Sequence, residues 1–278
     1  MELYHKTAIQ TARAVTSFYS TSFYIATTLL EKDKRDAIYS IYGFVRFADE
    51  IVDTFHDYDQ QSLIDRFEAD LKQSLSERIS LNPVLHAFQL VVNKYQIPYS
   101  LIDDFLKSMK ADLNKNRYLN VSETEQYIYG SANVVGLMCL KVFTDNNVEL
   151  YEKLQHPAMM LGSAFQKVNF LRDLKADTQD LNRFYFSNYQ QGSFSELSKK
   201  EIIDDIKSEF SVALKGIAGL PGRSKLAVQI AYIYYRDLLR KIEFTPVKQL
   251  LENRIRVKSS RKFALLLKGY LMYKFHIV

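Results

Sequence analysis

The stretch from Asp33 to Thr54, DKRDAIYSIYGFVRFADEIVDT, decides how the rest of the chain is read. Ile38, Ile41, Val45, Ala48 and Val52 recur at alternating steps of three and four, which predicts one buried stripe of an α-helix. Asp33 is the expected N-cap. Tyr39, Tyr42, Arg46, Asp49 and Asp53 repeat the same spacing one position later, about 100° round the helix. Gly43, Phe44, Phe47 and Ile51 occupy much of what remains. A helix apolar on most sides is normally buried. Its charged stripe is therefore expected to face an interior cavity.

A second stretch has the same character. Between Met159 and Asp177 the spacing predicts a helix with Leu161, Ala164, Val168 and Leu171 on its apolar side. Gln166, Asn169, Asp173 and Asp177 share another face, with Arg172 beside them. Gly162, Ser163 and Ala164 are small enough to admit a helix or a ligand closely. Between expected breaks at 56–59, 145–147, 187–198 and 219–222 the apolar spacing is mostly helical, and alternating strand patterns are scarce. None of these breaks reads as an interdomain linker. The expectation is an all-α fold, one helical domain over residues 1–278.

Two carboxylates four residues apart on a helix face the same way, about 6 Å apart along the axis. Burying them unpaired is costly and raises their pKa values. A hard divalent cation removes that cost, and Mg²⁺ characteristically combines one or two carboxylates with substrate phosphates. Asp49 and Asp53 on one helix, with Asn169, Asp173 and Asp177 on the other, are candidate ligands of such a cluster. Arg46 and Arg172 would neutralise the remaining phosphate charge. Eighteen aspartates produce about one i,i+4 pair by chance, so Asp49/Asp53 alone could be a surface pair. Asp53/Asp57 is read as a solvated helix end. The second cluster, five polar residues on an otherwise buriable helix, is the more specific.

Composition narrows the field. The net charge of +5 suits an anionic partner but is too modest and dispersed for nucleic acid. No zinc spacing, Walker loop or dinucleotide fingerprint is present. The single cysteine, Cys139, lies in an apolar run and is read as a small buried hydrophobe. The 18 Phe and 19 Tyr, with no Trp, fit either core or the lining of a pocket for a greasy ligand. The first residues hold no apolar signal core, and no stretch reaches the roughly 20 residues needed to span a bilayer. A cytoplasmic location is the expectation.

These motifs, in this order, resemble the phytoene/squalene synthase family of head-to-head prenyltransferases. Arg46-x-x-Asp49-x-x-x-Asp53 resembles its first aspartate-rich motif and Gln166 to Asp177 its second. Tyr127-x-Tyr129-Gly130 to Met138 resembles its central helix, and Ser20-Thr21-Ser22-Phe23 its N-terminal diphosphate-binding segment. Asp112-Leu113, Arg117-Tyr118 and Arg183-Phe184-Tyr185 also fit. Thr21 stands where many members have Lys, Asn133 replaces a common Gly, and Phe186 follows Tyr185 where a proline is usual.

The resemblance implies an isoprenoid-synthase-type bundle with a central cavity. It implies Mg²⁺, with Mn²⁺ as the alternative, on Asp49, Asp53, Asn169, Asp173 and Asp177, and diphosphate on Ser20, Ser22, Arg46, Gln166 and Arg172. Two allylic diphosphates would condense to a cyclopropyl diphosphate, which then rearranges; NADPH enters only if squalene is the product. Tyr129 either assists catalysis or belongs to the core; Ser20 and Ser22 either bind phosphate or cap a helix. Phytoene from geranylgeranyl diphosphate is the leading expectation. Squalene, dehydrosqualene or presqualene diphosphate from farnesyl diphosphate is the alternative, and a non-catalytic scaffold the reading from another class. Arg256 to Lys274, basic and apolar with loose helical spacing, is either a terminal core helix or a peripheral membrane contact. Oligomeric state is not legible.

Overall fold

A computed structural model describes residues 1–115, 117–180, 182–186 and 194–275. The described residues form thirteen α-helices and two π-helical turns. In chain order the first eight helices are α1 (Glu2–Tyr19), α2 (Thr21–Thr27), α3 (Lys32–Asp53), α4 (Gln60–Glu77), α5 (Pro83–Tyr95), α6 (Tyr99–Ala111), α7 (Val121–Ile128) and α8 (Val134–Thr144). They are followed by α9 (Val148–Arg172), α10 (Glu196–Ala218), α11 (Gly222–Glu243), α12 (Val247–Glu252) and α13 (Ser259–Lys274). Tyr129–Asn133 and Ala176–Asp180 are the π turns. Among these residues the one β pairing is an isolated parallel bridge between Arg117 and Phe184.

Helix starts follow local chemistry. Asp59, Asn82, Asn120, Asn147 and Ser195 each accept a hydrogen bond from an otherwise unpaired first-turn N–H. The expected breaks at 56–59 and 145–147 fall between helices, as does 219–222 except that Gly222 opens α11, whereas 187–193 of the fourth lie outside the described residues. Glu31, not Asp33, precedes the first turn of α3. Asp33 lies inside that turn, which suits its charge to the helix dipole, and pairs with Lys94 at 3.0 Å.

α3 is the centre of the larger core. Ile38, Ile41, Ala48 and Val52 are buried as expected, and Val45 is half-buried against the same cluster. Phe44 stacks on Phe88 with centroids 4.1 Å apart and meets Phe67 and Phe105. Each such side chain contributes about 1.5–3 kcal/mol on burial. Phe47 departs from expectation: it is exposed, because α3 has helices on only part of its circumference.

The second helix is longer at one end and shorter at the other than its spacing predicts. α9 begins at Val148 and runs through Pro157, tolerated because tight flanking packing outweighs one lost backbone hydrogen bond. A Cβ on Gly216 of α10 would sit 2.2 Å from the Pro157 ring, which shows how closely the helices meet. At its far end α9 stops at Arg172, and the chain re-forms as the π turn that carries Asp177. Gly162 turns towards the central π turn, where an added Cβ would lie 3.0 Å from the Ala132 carbonyl. The small residues thus serve helix contact.

Candidate active site

α3 and α9 bring the two polar stripes towards each other. Arg46, Asp49 and Asp53 on α3, Gln166, Asn169 and Arg172 on α9, and Asp173 and Asp177 just beyond its end are all half-buried. Both π turns fall on expected functional segments, at Tyr129 and Asp177. Such turns cost regular hydrogen bonding and occur often at functional sites.

The carboxylates repel one another. Burial, then the charge of Asp53, pushes the Asp49 carboxyl up to about 7. Burial, then Asp173 and Asp53, pushes Asp177 up to about 8. Asp53 and Asp177, 124 positions apart in the chain, therefore lie within electrostatic reach across the two helices. Asp53 is turned onto Arg183, whose Nη1 donates to it at 2.5 Å. Asp173 is turned onto Arg172 and onto Arg254 Nε at 2.7 Å. In this arrangement no three His, Cys, Asp or Glu side chains among the described residues converge on one point.

The donor set nevertheless fits a hard divalent cation. It consists of oxygens alone, and two of its carboxyls are raised first by burial and then by neighbouring carboxylates, both of which a cation would relieve. Asp49, Asp53, Asn169, Asp173 and Asp177 are the residues that would hold it. Asn169 Oδ1 accepts from the Tyr235 hydroxyl at 3.2 Å, which fixes its orientation.

The expected diphosphate ligands surround this group unevenly. Arg46 pairs with Glu50, lies 3.8 Å from Asp49 and stacks over the Tyr19 ring at 4.5 Å. Its buried Nε has no hydrogen-bond partner. Ser20, between α1 and α2, makes no side-chain cap and stands within reach of the Tyr42 hydroxyl. Burial raises the Tyr42 phenol to about 12. Tyr42 stacks on Phe23 at 5.0 Å and so belongs beside the charged stripe. Ser22 and Gln166 are half-buried. Tyr39 leaves the group: it is fully buried and stacks on Tyr24 instead. Tyr129 is half-buried against the main core near Tyr151.

Sequence reasoning assigned no role to four residues that complete the arrangement. Arg183 bridges α3 to Asp112, its Nη2 donating to the Val52 and Asp112 carbonyls. The buried Asp112 carboxylate accepts from Tyr127 at 2.7 Å and Tyr118 at 3.4 Å; burial still pushes it up to about 7. Tyr235 and Arg254 contact the second motif from α11 and from the segment before α13. Asp112 and Arg183 lie in segments that fit the family pattern, whereas no local signal marks Tyr235 and Arg254, whose partners lie 66 and 81 residues away.

A narrow hollow beside Asp177 is lined by Phe170, Leu174, Arg183 and Tyr185. Cys139 is half-buried and free, its thiol pushed up to about 12 by burial, as a small core hydrophobe requires. Among the described residues no helix is long and apolar enough to cross a membrane.

Comparison with known proteins agrees with this architecture. The squalene/phytoene synthase family model matches residues 17–262. The chloroplastic phytoene synthase of Narcissus pseudonarcissus is 28% identical over 257 residues, 86% of this chain and 60% of the relative. That of an Oncidium hybrid cultivar is 30% identical over 244 residues, 81% of this chain and 58% of the relative. The chain thus spans about three fifths of the length of these relatives. A dehydrosqualene synthase crystallised with a ligand superposes at a TM-score of 0.83 over 97% of this chain and 98% of its own. At 22% identity that is a likeness of fold.

Proposed function

The chain belongs to the squalene/phytoene synthase family, and from that premise we propose that it joins two allylic prenyl diphosphates head to head. The proposed substrates are two molecules of geranylgeranyl diphosphate and the product is phytoene. The observation that carries the proposal is the pair of facing stripes, with Asp49 and Asp177 raised to about 7 and about 8 by burial and like charge. Such a pair is suited to divalent cations and a polyanionic leaving group. The names of the two phytoene synthase relatives support the longer substrate. In this proposal residues 1–278 act as one isoprenoid synthase domain.

Bound Mg²⁺ would supply charge stabilisation for departing diphosphate. Arg46, anchored by Glu50 and the Tyr19 ring, and Arg172 hold the phosphate oxygens. Ser20 and Ser22 donate hydroxyl hydrogen bonds, and Gln166 an amide, at the edge of the same site. In the first stage one substrate loses diphosphate, and the double bond of the second attacks the allylic cation. Loss of a proton closes a cyclopropane. In the second stage the remaining diphosphate departs, the carbon skeleton rearranges, and loss of another proton gives a conjugated polyene. Tyr129, at the start of the central π turn, steadies the cation with its ring face. The apolar product must then leave towards an apolar phase.

The test is a product assay with Mg²⁺. Farnesyl and geranylgeranyl diphosphate are offered separately, with and without NADPH, and hydrocarbons are identified by mass spectrometry. Phytoene from the 20-carbon substrate without NADPH is the expected result. Squalene or dehydrosqualene from the 15-carbon substrate would overturn the product assignment. No product from folded protein would overturn the enzyme reading in favour of a scaffold.

A further inference from the structure

α13 lies antiparallel on α11. Arg261 meets Asp237, Gly269 packs on Ile230, and the Tyr273 hydroxyl donates to the Gly222 carbonyl at 3.3 Å. Phe263, Leu267 and Leu271 are left facing outward. This pairing sets the C-terminal end of α11 beside the N-terminal end of α13. Between them opens a hollow of about 370 Å³ lined by Arg240, Lys241, Phe244, Lys258, Ser260 and Arg261. Its size falls in the range of small-molecule sites, about 300–1,000 Å³.

The lining is strongly positive. Arg240, Lys241, Lys258 and Arg261 bring four positive charges and Asp237 one negative, an excess of three. Asp237 accepts from Arg261 Nε at 3.1 Å. Lys241 Nζ donates to the Arg256 carbonyl at 2.6 Å, which leaves its charge uncancelled. Arg240 sits 6.0 Å over the Phe244 ring. Arg240 and Lys258 pair with no carboxylate among the described residues. A structural reason accounts for Arg240 and Lys241, which occupy the last turn of α11, where the helix dipole favours a cation. Lys258 has no such reason. It precedes the first turn of α13, at the positive end of that helix, and the turn carries no acidic residue. Cations gathered in a concave site repel one another, and an anion between them relieves the repulsion.

We propose that this hollow binds a free polyphosphate anion, inorganic diphosphate, at a site separate from the candidate active site. An excess of three charges suits an anion more highly charged than a single phosphate group, which carries about −1.5 to −2 at pH 7. Arg240 and Arg261 offer planar guanidinium forks to phosphate oxygens, and Lys241 and Lys258 add point charges. The Ser260 hydroxyl donates at the edge. The choice of diphosphate within this class rests on the proposed reaction, which releases it; the anion site itself does not. A short strap joins the two sites. Arg254 Nε meets Asp173 at 2.7 Å, the Ile255 N–H donates to the Arg172 carbonyl at 3.4 Å, and the next carbonyl, that of Arg256, is the one Lys241 holds.

The test is isothermal titration of the full chain with sodium diphosphate in EDTA, where the carboxylates of the candidate active site repel an anion. Binding is expected, weakening as salt rises. Inorganic phosphate should bind at least about tenfold more weakly. Arg240→Gln with Lys258→Gln, both at exposed positions, should lower diphosphate affinity about tenfold. Lys268→Gln, exposed on α13 outside the hollow, should leave it unchanged. Circular dichroism establishes that each variant is folded. Absence of binding, or phosphate bound as tightly as diphosphate, overturns the proposal. An equal loss in Lys268→Gln and in the hollow variant assigns the effect to diffuse surface charge and overturns it. Binding lost in Arg46→Gln and kept in the hollow variant places the anion in the candidate active site and overturns it too. Binding is read without substrate or turnover, so its failure leaves the proposed reaction standing, and the reverse holds.

Discussion

Replacing Asp49 by Asn should make the cation-free protein more stable while abolishing turnover. The folded state holds this carboxyl at about 7 instead of its ordinary 3.8. Below about pH 3 the group is protonated both folded and unfolded and costs nothing. As pH rises towards 7 the unfolded chain ionises it freely and the folded one resists, so wild-type stability falls and then levels off. A difference of about three pH units corresponds to about 4 kcal/mol as an upper bound. The Asp49 side chain is 34% exposed and therefore partly screened, which reduces the figure to about 1–2 kcal/mol. Its 3.8 Å contact with Arg46 is too long to offset that. Urea unfolding in EDTA at pH 8 should show Asp49→Asn ahead by about 1–2 kcal/mol, and heating should show a gain of roughly 2–8 °C. At about pH 3 the gap should close. Wild type should gain stability from Mg²⁺ with a non-hydrolysable diphosphate, and the variant should gain far less. A variant less stable than wild type at pH 8, or one retaining Mg²⁺-dependent consumption of prenyl diphosphate, would refute the reasoning.

Asp173→Asn should lose at least about a hundredfold in turnover while its circular dichroism spectrum stays native, since the amide cannot carry the charge that Arg172 and Arg254 now face; near-normal product formation would remove Asp173 from the site. Arg183→Gln should cost about 2–3 kcal/mol in urea unfolding, because the buried guanidinium serves Asp53 and two backbone carbonyls at once. Adding Asp53→Asn should recover part of that loss, and strict additivity of the two changes would deny the coupling. Gly130→Ala should lower stability by about 1–3 kcal/mol, since its Cβ would lie 1.9 Å from Ser108 Oγ and 2.8 Å from the Asp104 carbonyl. An unchanged melting temperature would mean that the α6 contact yields easily.

Much of this molecule is legible from local spacing. Helical periodicity is set by the backbone and repeats every 3.6 residues, so Ile38 to Val52 announces a buried face without knowledge of the rest. The same holds for the stripes Asp49/Asp53 and Asn169/Asp173/Asp177 and for the breaks capped by Asp59 and Asn147, where turn chemistry is also local. These features carried the fold class and the candidate ligands. Local spacing failed where packing overrides propensity. The spacing starts the second helix at Met159, yet α9 begins at Val148 and passes through Pro157, where α8 and α10 hold it on both sides. Asp177 shares a helical face with Asp173 on paper but reaches its place through a π turn.

What the sequence determined, then, is which residues must lie on one side of a helix and which charges would be costly there alone. Only the tertiary structure decided who answers those charges. Arg183 meets Asp53 across 130 positions, Arg254 meets Asp173 across 81, and Tyr235 orients Asn169 across 66. The tertiary structure also decided that the apolar side of α13 faces outward. A helix pattern states that one face is apolar but not what lies opposite it, because the partner is chosen by distant chain segments competing for the same core.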